Sequence, residues 1–199
     1  GAISPVPFAN EEFMQKVKTK IIEPTISGFQ KDEFDYKGFV FIGLIKIGDE
    51  PFVIEYNCRM GDPETEVVIP RIKNDLVELL KATAEQKLDK VQIEIDQRFA
   101  TTIVAVSGGY PNEYQTGFAI SGLSLAEEDT MIFYAGAKKE GNKVVTSGGR
   151  VLCTTALASD LTEALERSRE LVEVINFEGK YFRKDIGFEF GPLSPGGGT

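Results

Sequence analysis

Residues 52–65 read FVIEYNCRMGDPET. Phe52, Val53, Ile54 and Tyr56 suit a strand, yet Glu55, Asn57 and Arg59 interrupt it at alternate positions, and a Gly61-Asp62-Pro63-Glu64 turn follows. In a strand, residues i and i+2 leave the same face about 7 Å apart. The alternation therefore predicts one polar row, with Ile54, Tyr56 and Cys58 on the opposite side. A carboxylate and an amide oxygen are hard donors, suited to a divalent cation that also takes oxygens from phosphates and water. A neighbouring guanidinium can grip a phosphoryl oxygen bidentately. The plain alternative is the solvated face of an edge strand, with Glu55 and Arg59 merely neighbours. Against it stands the preceding run, Phe39–Ile45, which is apolar on both faces and reads as a central strand. A Glu on a strand paired with it would need a cation as partner. Asp62 and Glu64 add carboxylates beside the row. Glu64 and Thr65 also suit the first turn and cap of the next helix, which leaves Asp62 as the stronger candidate for chemistry.

Composition narrows the chemistry. The 199 residues are 42 % hydrophobic and 27 % charged, enough for one large domain or two small ones. The net charge of -9 argues against a nucleic-acid surface, while leaving room for a local basic pocket. No apolar run approaches the roughly 20 residues of a membrane span, and the opening GAISPVPF has neither the basic start nor the apolar core of a signal peptide. Histidine is absent. That excludes Ser-His and Cys-His nucleophilic systems and removes the commonest zinc ligand. Catalysis is left to carboxylates, Lys, Arg, backbone amides or an oxygen-held metal ion. The two cysteines, Cys58 and Cys153, lie far apart in apolar contexts and read as buried reduced thiols of a cytoplasmic protein.

Along the chain, residues 10–33 read as helical, with Asn10 as cap, Glu11 and Glu12 at the positive end, and Phe13, Val17 and Ile21 on one stripe. Pro24 is expected to divide this stretch into two helices, the second over Thr25–Asp32. Gly38–Ile47 reads as a strand covered on both faces, turning at 48–51 into FVIEYNCRM to form a hairpin. Val67–Ala84 reads as mostly helical, with Leu76, Leu79 and Leu80 as its apolar stripe. From Phe99 strands dominate: TTIVAVSG, GFAISGL, MIFYAGAKK, GNKVVTSGG and RVLCTTALA. One helix interrupts them, Leu161–Ile175, capped by Asp160 and facing inward through Leu161, Leu165, Leu171 and Val172. The tail, 191–199, reads as flexible.

At EYNCRMGDPETE the sequence resembles the ATP-grasp enzymes, and specifically the phosphoribosylamine–glycine ligase (glycinamide ribonucleotide synthetase) family, whose form is close to E-[FY]-N-x-R-x-G-D-P-E-[TA]. GAISPVPF, SGGYPNEYQTG, VVTSGGRVLCTTAL and YFRKDIG resemble further pieces of that family in the same order, over residues 1–188. The resemblance implies an α+β chain: residues 1–96 as part of an ATP-grasp module, an antiparallel sheet with helices, and 97–190 as a small β-rich domain similar to the rudimentary hybrid motif of related carboxylases. It implies Glu55 and Asn57 as ligands to Mg²⁺ or Mn²⁺, Arg59 at the transferred phosphate, and Asp62 beside it. The whole family enzyme uses ATP to phosphorylate glycine, and the amine of 5-phosphoribosylamine attacks the glycyl phosphate to give glycinamide ribonucleotide. Family members are roughly twice as long, so the resemblance implies a missing N-terminal half and a fragment inactive by itself. Many ATP-grasp enzymes add an acidic ligand from the strand before E-x-N, whereas FVFIGLIKI contains none. Either fewer protein ligands serve here, or Asp62 or Glu64 compensates.

The Gly-Gly turns of the second half, Ser107-Gly108-Gly109-Tyr110-Pro111 and Ser147-Gly148-Gly149-Arg150, present backbone amides to an anion or simply close hairpins. Arg150, beside Gly148 and Gly149, supplies charge for the first use. Arg183 and Lys184 in Arg183-Lys184-Asp185 form either a ribose-phosphate site or a surface ion network. Two other readings stay open: a different ATP-grasp carboxylate–amine ligase or carboxylase subunit, and a non-catalytic module that docks on a separate N-terminal half.

Overall fold

The computed structural model describes residues 1–190; the tail at 191–199 lies outside the described residues. In chain order the first half contains β1 (Ala2–Ser4), α1 (Glu11–Val17), α2 (Glu23–Lys31), β2 (Phe41–Ile47), β3 (Glu50–Asn57), α3 (Thr65–Val68) and α4 (Leu76–Ala84). The second half contains β4 (Phe99–Val106), β5 (Thr130–Tyr134), β6 (Ala137–Glu140), β7 (Lys143–Thr146), β8 (Arg150–Ala158) and α5 (Leu161–Val174). The class is α+β with antiparallel sheets. No helix among the described residues is long and apolar enough to cross a membrane.

Two compact units form, and they do not follow a single cut near residue 96. One gathers Pro5–Asp62 with Ile72–Ile95; the other gathers Gly1–Ser4, Pro63–Arg71 and the chain from Asp96 onward.

In the first unit Asn10 caps α1, its side chain accepting from the Phe13 amide at 2.9 Å. Pro24 does not separate two helices. A π-helical stretch, Lys18–Ile22, joins α1 to α2 without a break. Pro24 has no N–H to give and its ring presses on the preceding turn, and the wider π turn absorbs both effects. The Thr25 hydroxyl donates to the Ile21 carbonyl at 2.7 Å, satisfying an acceptor there. Phe13, Val17 and Ile21 are buried as the stripe requires.

The β2–β3 hairpin turns tightly at Gly48, whose φ of 59° suits glycine. Its strands are not covered on both faces: Ile47 is 60 % exposed and Ile54 65 % exposed. Among the described residues β3 is the only strand paired with β2, so an edge and much of a face stay open. Cys58, just past β3, is exposed rather than buried; Cys153, inside β8, is buried. The expected helix over Val67–Ala84 is also interrupted. After α3 a 3-10 turn at Ile69–Arg71 contains Pro70, and Ile72 then bridges Ile95. Asn74 holds this crossing by giving its amide to Gln92 and accepting from Glu94, while Asp75 restarts the helix by capping the amides of Val77 and Glu78. Leu79 is buried, but Leu80 faces solvent.

The second unit is built on a four-stranded antiparallel sheet in the order β1-β4-β8-β5. β4 and β8 are apolar or Thr-rich on both faces and nearly all buried. α5 lies across them, capped by Asp160 and burying Ala164, Leu165, Ser168, Leu171 and Val172. The expected strand MIFYAGAKK is two strands. Gly136 breaks it, because a Cβ there would fall 2.5 Å from the Arg150 carbonyl oxygen. β5 stays in the large sheet and β6 pairs with β7 in a hairpin. GFAISGL is not a strand: it touches its neighbours through isolated bridges, Ala119 with Val145 and Ser121 with Asn176, between the left-handed Gly117 and Gly122.

Candidate metal and phosphate site

Glu55 and Asn57 leave the same face of β3, and the Asn57 side-chain nitrogen donates to Glu55 Oε1 at 2.8 Å. The contact is local to the strand, as the i, i+2 spacing requires. Glu55 is exposed and Asn57 half-buried, so the pair is open to a ligand. A half-turn of the amide exchanges its nitrogen and oxygen in nearly the same places, which makes both side chains available as oxygen donors on one face. Among the described residues no three His, Cys, Asp or Glu side chains group closely enough to hold a metal by themselves. The donor set therefore fits a hard cation that brings its other ligands as phosphate oxygens and water, which is the habit of Mg²⁺ at nucleotide sites.

Arg59 does not extend the row. β3 ends at Asn57, and Arg59 lies in the bend beyond it, exposed, with Nη1 donating to the Met60 carbonyl at 3.0 Å. Its position follows the bend and not the strand. Asp62 is exposed in the following turn. Glu64 precedes α3 and contributes its carbonyl, not its carboxylate, to the first helical turn, accepting from the amides of Val67 and Val68.

A feature hidden in the sequence shapes this site. Gly43 faces Glu55 across the hairpin, and the pairing slips there: Gly43 pairs with Glu55 and Leu44 with Val53, leaving Ile54 as the extra residue of a β-bulge. In the sequence Gly43 is one small residue inside an apolar run. The only signal was a glycine in the interior of a strand, which often marks a bulge or a close approach.

In the second unit Arg150 opens β8, half-buried, on a cavity of about 330 Å³ that Tyr110, Tyr181, Phe182 and Arg183 also line. Arg183 is already in a fork with Asp185, Nε to Oδ1 at 2.9 Å and Nη2 to Oδ2 at 2.8 Å. That hydrogen bonding pulls the Asp185 carboxyl below its ordinary value. Lys184 is exposed on a separate hollow with Lys180 and Asp185. Gly148 and Gly149 spend their carbonyls on Ser107, which donates its hydroxyl to Gly148 at 2.8 Å and its amide to Gly149 at 2.8 Å. The structure thus brings Arg150 and Arg183 to one cavity and leaves Lys184 outside it. The three aromatic rings of the cavity had no motif to announce them.

Residues 1–65 match the phosphoribosylglycinamide synthetase ATP-grasp (A) domain and residues 100–189 the phosphoribosylglycinamide synthetase C domain. Chlorobaculum tepidum phosphoribosylamine--glycine ligase is 43 % identical over 189 residues, covering 94 % of this chain and 44 % of the relative. A solved Thermotoga maritima phosphoribosylamine--glycine ligase superposes with a TM-score of 0.77 at 31 % identity, over 92 % of this chain and 45 % of that one. Rhizobium etli pyruvate carboxylase shares the fold alone, with a TM-score of 0.61 at 13 % identity over 94 % of this chain and 19 % of its own. The chain spans somewhat under half the length of the ligases it matches. It belongs to the phosphoribosylglycinamide synthetase family of ATP-grasp proteins.

Proposed function

We propose that the chain is part of an ATP-dependent C–N ligase that joins glycine to 5-phosphoribosylamine in the cytoplasm, giving glycinamide ribonucleotide, ADP and phosphate. The observation that carries this reading is the Glu55–Asn57 pair on one face of β3. The relatives' name, phosphoribosylamine--glycine ligase, supplies the substrates. Residues 1–96 are read as part of the ATP-grasp module and 97–190 as the β-rich C-terminal domain, in line with the two matched family domains.

In this reading Glu55 and Asn57 would hold Mg²⁺ or Mn²⁺. When bound, such a cation neutralises charge on the nucleotide phosphates. Arg59, exposed in its bend, orients the phosphoryl group on its way to the glycine carboxylate, and its delocalised charge favours the spread of negative charge there. Asp62 sits in the adjoining turn, placed to orient a substrate donor group. Attack of the phosphoribosylamine nitrogen on glycyl phosphate then forms the amide and releases phosphate. Arg150 and Arg183, with Gly148 and Gly149 shaping the neighbouring turn, offer charge to the ribose phosphate; Lys184 adds positive charge nearby.

The test is a chimera in which this chain replaces the matching part of the Chlorobaculum tepidum ligase. Glycine- and phosphoribosylamine-dependent ADP release is expected. Glu55→Gln should lower it by more than about 100-fold, beyond the loss typical of an outer partner of a metal ligand. Turnover indifferent to Glu55→Gln overturns the reading.

A further inference from the structure

Glycine weakens the interior of a strand, so a glycine kept there has a local reason. At Gly43 the reason is not the backbone, because its φ lies outside the left-handed region that favours glycine. It is not general crowding either. The three atoms nearest a Cβ built on Gly43 all belong to Glu55: the side-chain Cγ at 3.0 Å, then the carbonyl oxygen at 3.6 Å and the amide nitrogen at 3.7 Å. The β-bulge falls at the same place, with Ile54 inserted just before Glu55. A bulge bends its strand and re-aims the neighbouring side chain. From the other side the Asn57 amide holds Glu55 Oε1.

We infer that Gly43, with the bulge at Ile54, positions the Glu55 carboxylate for its divalent cation by leaving open the space across which the Glu55 side chain lies. Gly43 is a positioning residue and contributes no ligand. The inference rests on the metal-binding reading of Glu55 and Asn57. An added methyl group has to push Glu55 Cγ aside by a few tenths of an ångström, and a carboxylate one bond further out swings through more than that.

The experiment is Mn²⁺ titration of the ¹⁵N-labelled chain, read by paramagnetic broadening of the Asn57 side-chain amide and the Glu55 backbone amide. This readout works at millimolar metal and needs no activity. The wild-type signals should broaden first among the hairpin residues, and Glu55→Gln should abolish the effect. Gly43→Ala should need about tenfold more Mn²⁺, the loss typical of removing an outer support of a metal ligand. Cross-strand contacts from Phe41 to Asn57 and from Ile45 to Phe52 should persist in that variant. Unchanged Mn²⁺ dependence in Gly43→Ala, with Glu55→Gln still inert, overturns the positioning role and leaves the metal reading standing. Loss of the cross-strand contacts also overturns it, because the glycine then serves the hairpin itself. No difference between wild type and Glu55→Gln removes the metal reading and this inference with it.

Discussion

Asn57 gives its side-chain amide to Glu55 across two residues of one strand at 2.8 Å, a pairing that keeps the two side chains together on one face. Replacing that amide by a carboxylate reverses the interaction. Asn57→Asp sets like charges at hydrogen-bond distance, which raises the proton affinity of the pair and disfavours the fold. The variant should melt below the wild type in metal-free buffer, with the gap narrowing as Mg²⁺ is added. A gap that ignores Mg²⁺ would count against a cation between the two side chains.

Glu50 ties the hairpin turn to the helical segment beside it. Lys20 donates to its carboxylate, and Lys16 Nζ lies 3.5 Å from Oε1. The hydrogen bond from Lys20 holds the Glu50 carboxyl below its ordinary 4.5, opposed in part by desolvation. A depressed carboxyl means that the native state binds fewer protons than the unfolded chain. Its stabilisation is complete above the ordinary value and disappears as pH falls through the folded one. Melting temperature measured from about pH 6 to about pH 3 should therefore fall less steeply in Glu50→Gln than in the wild type. Asp185, depressed by Arg183, keeps part of the slope in both.

The sheet and α5 of the second unit meet through hydroxyls rather than through hydrocarbon alone. Thr101 Oγ1 donates to the Ala164 carbonyl at 2.7 Å and lies 2.9 Å from Ser168 Oγ, while Thr154 Oγ1 donates to the Ser168 carbonyl at 2.8 Å. Thr101, Thr154 and Ser168 are fully buried. Thr101→Val keeps the shape and removes a buried hydrogen bond to the Ala164 carbonyl and the contact with Ser168 Oγ, so it should cost about 1 kcal/mol. Ser168→Ala should cost about 1 kcal/mol, and the double variant less than the sum, since both act in one network. Urea midpoints at constant slope check all three.

Arg150 and Arg183 line one cavity, and Asp185 already occupies one edge of the Arg183 guanidinium, through Nε and Nη2. In the chimeric ligase Arg150→Ala should raise the apparent KM for phosphoribosylamine by about tenfold, the worth of one charge-assisted hydrogen bond. Arg183→Ala should raise it less. Equal KM values for wild type and Arg150→Ala would leave Arg150 a structural role only.

What could be read from the sequence was whatever depends on nearest neighbours along the chain. Asn10 and Asp160 cap where a short polar acceptor precedes an apolar stripe. RVLCTTALA was legible as the strand β8, and Glu55 and Asn57 share a face because two residues make one pleat. What stayed hidden depends on partners distant in sequence. Pro24 was read as a break because nothing local reports that the preceding turn can widen into a π-helix. Asn74 looked helical until its amide found Gln92 and Glu94. The bulge at Ile54 shifts a register that only the opposite strand defines. The exposure of Ile47 and Ile54 follows from how many strands flank the hairpin, which alternation within one strand does not encode.

Gly149 separates a steric role from an electrostatic one. A Cβ at this position would fall 2.2 Å from Tyr110 Cδ2 and 2.7 Å from Cε2, inside any tolerable contact. The glycine therefore admits the tyrosine ring, and its carbonyl accepts from the Ser107 amide at 2.8 Å, joining the two Gly-Gly turns. Gly149→Ala must displace Tyr110 or the backbone and should destabilise by about 1–3 kcal/mol, as overpacking does. Trimming the ring by Tyr110→Ala in the same molecule should recover much of that loss, a coupling between touching residues that a thermodynamic cycle isolates. If Gly149 served instead only to offer its amide to an anion, the alanine variant would melt like the wild type and Tyr110→Ala would rescue nothing. Coupling of opposite sign or none would return the turn to the anion-binding reading; strong rescue assigns it to the fit of the ring beside Arg150.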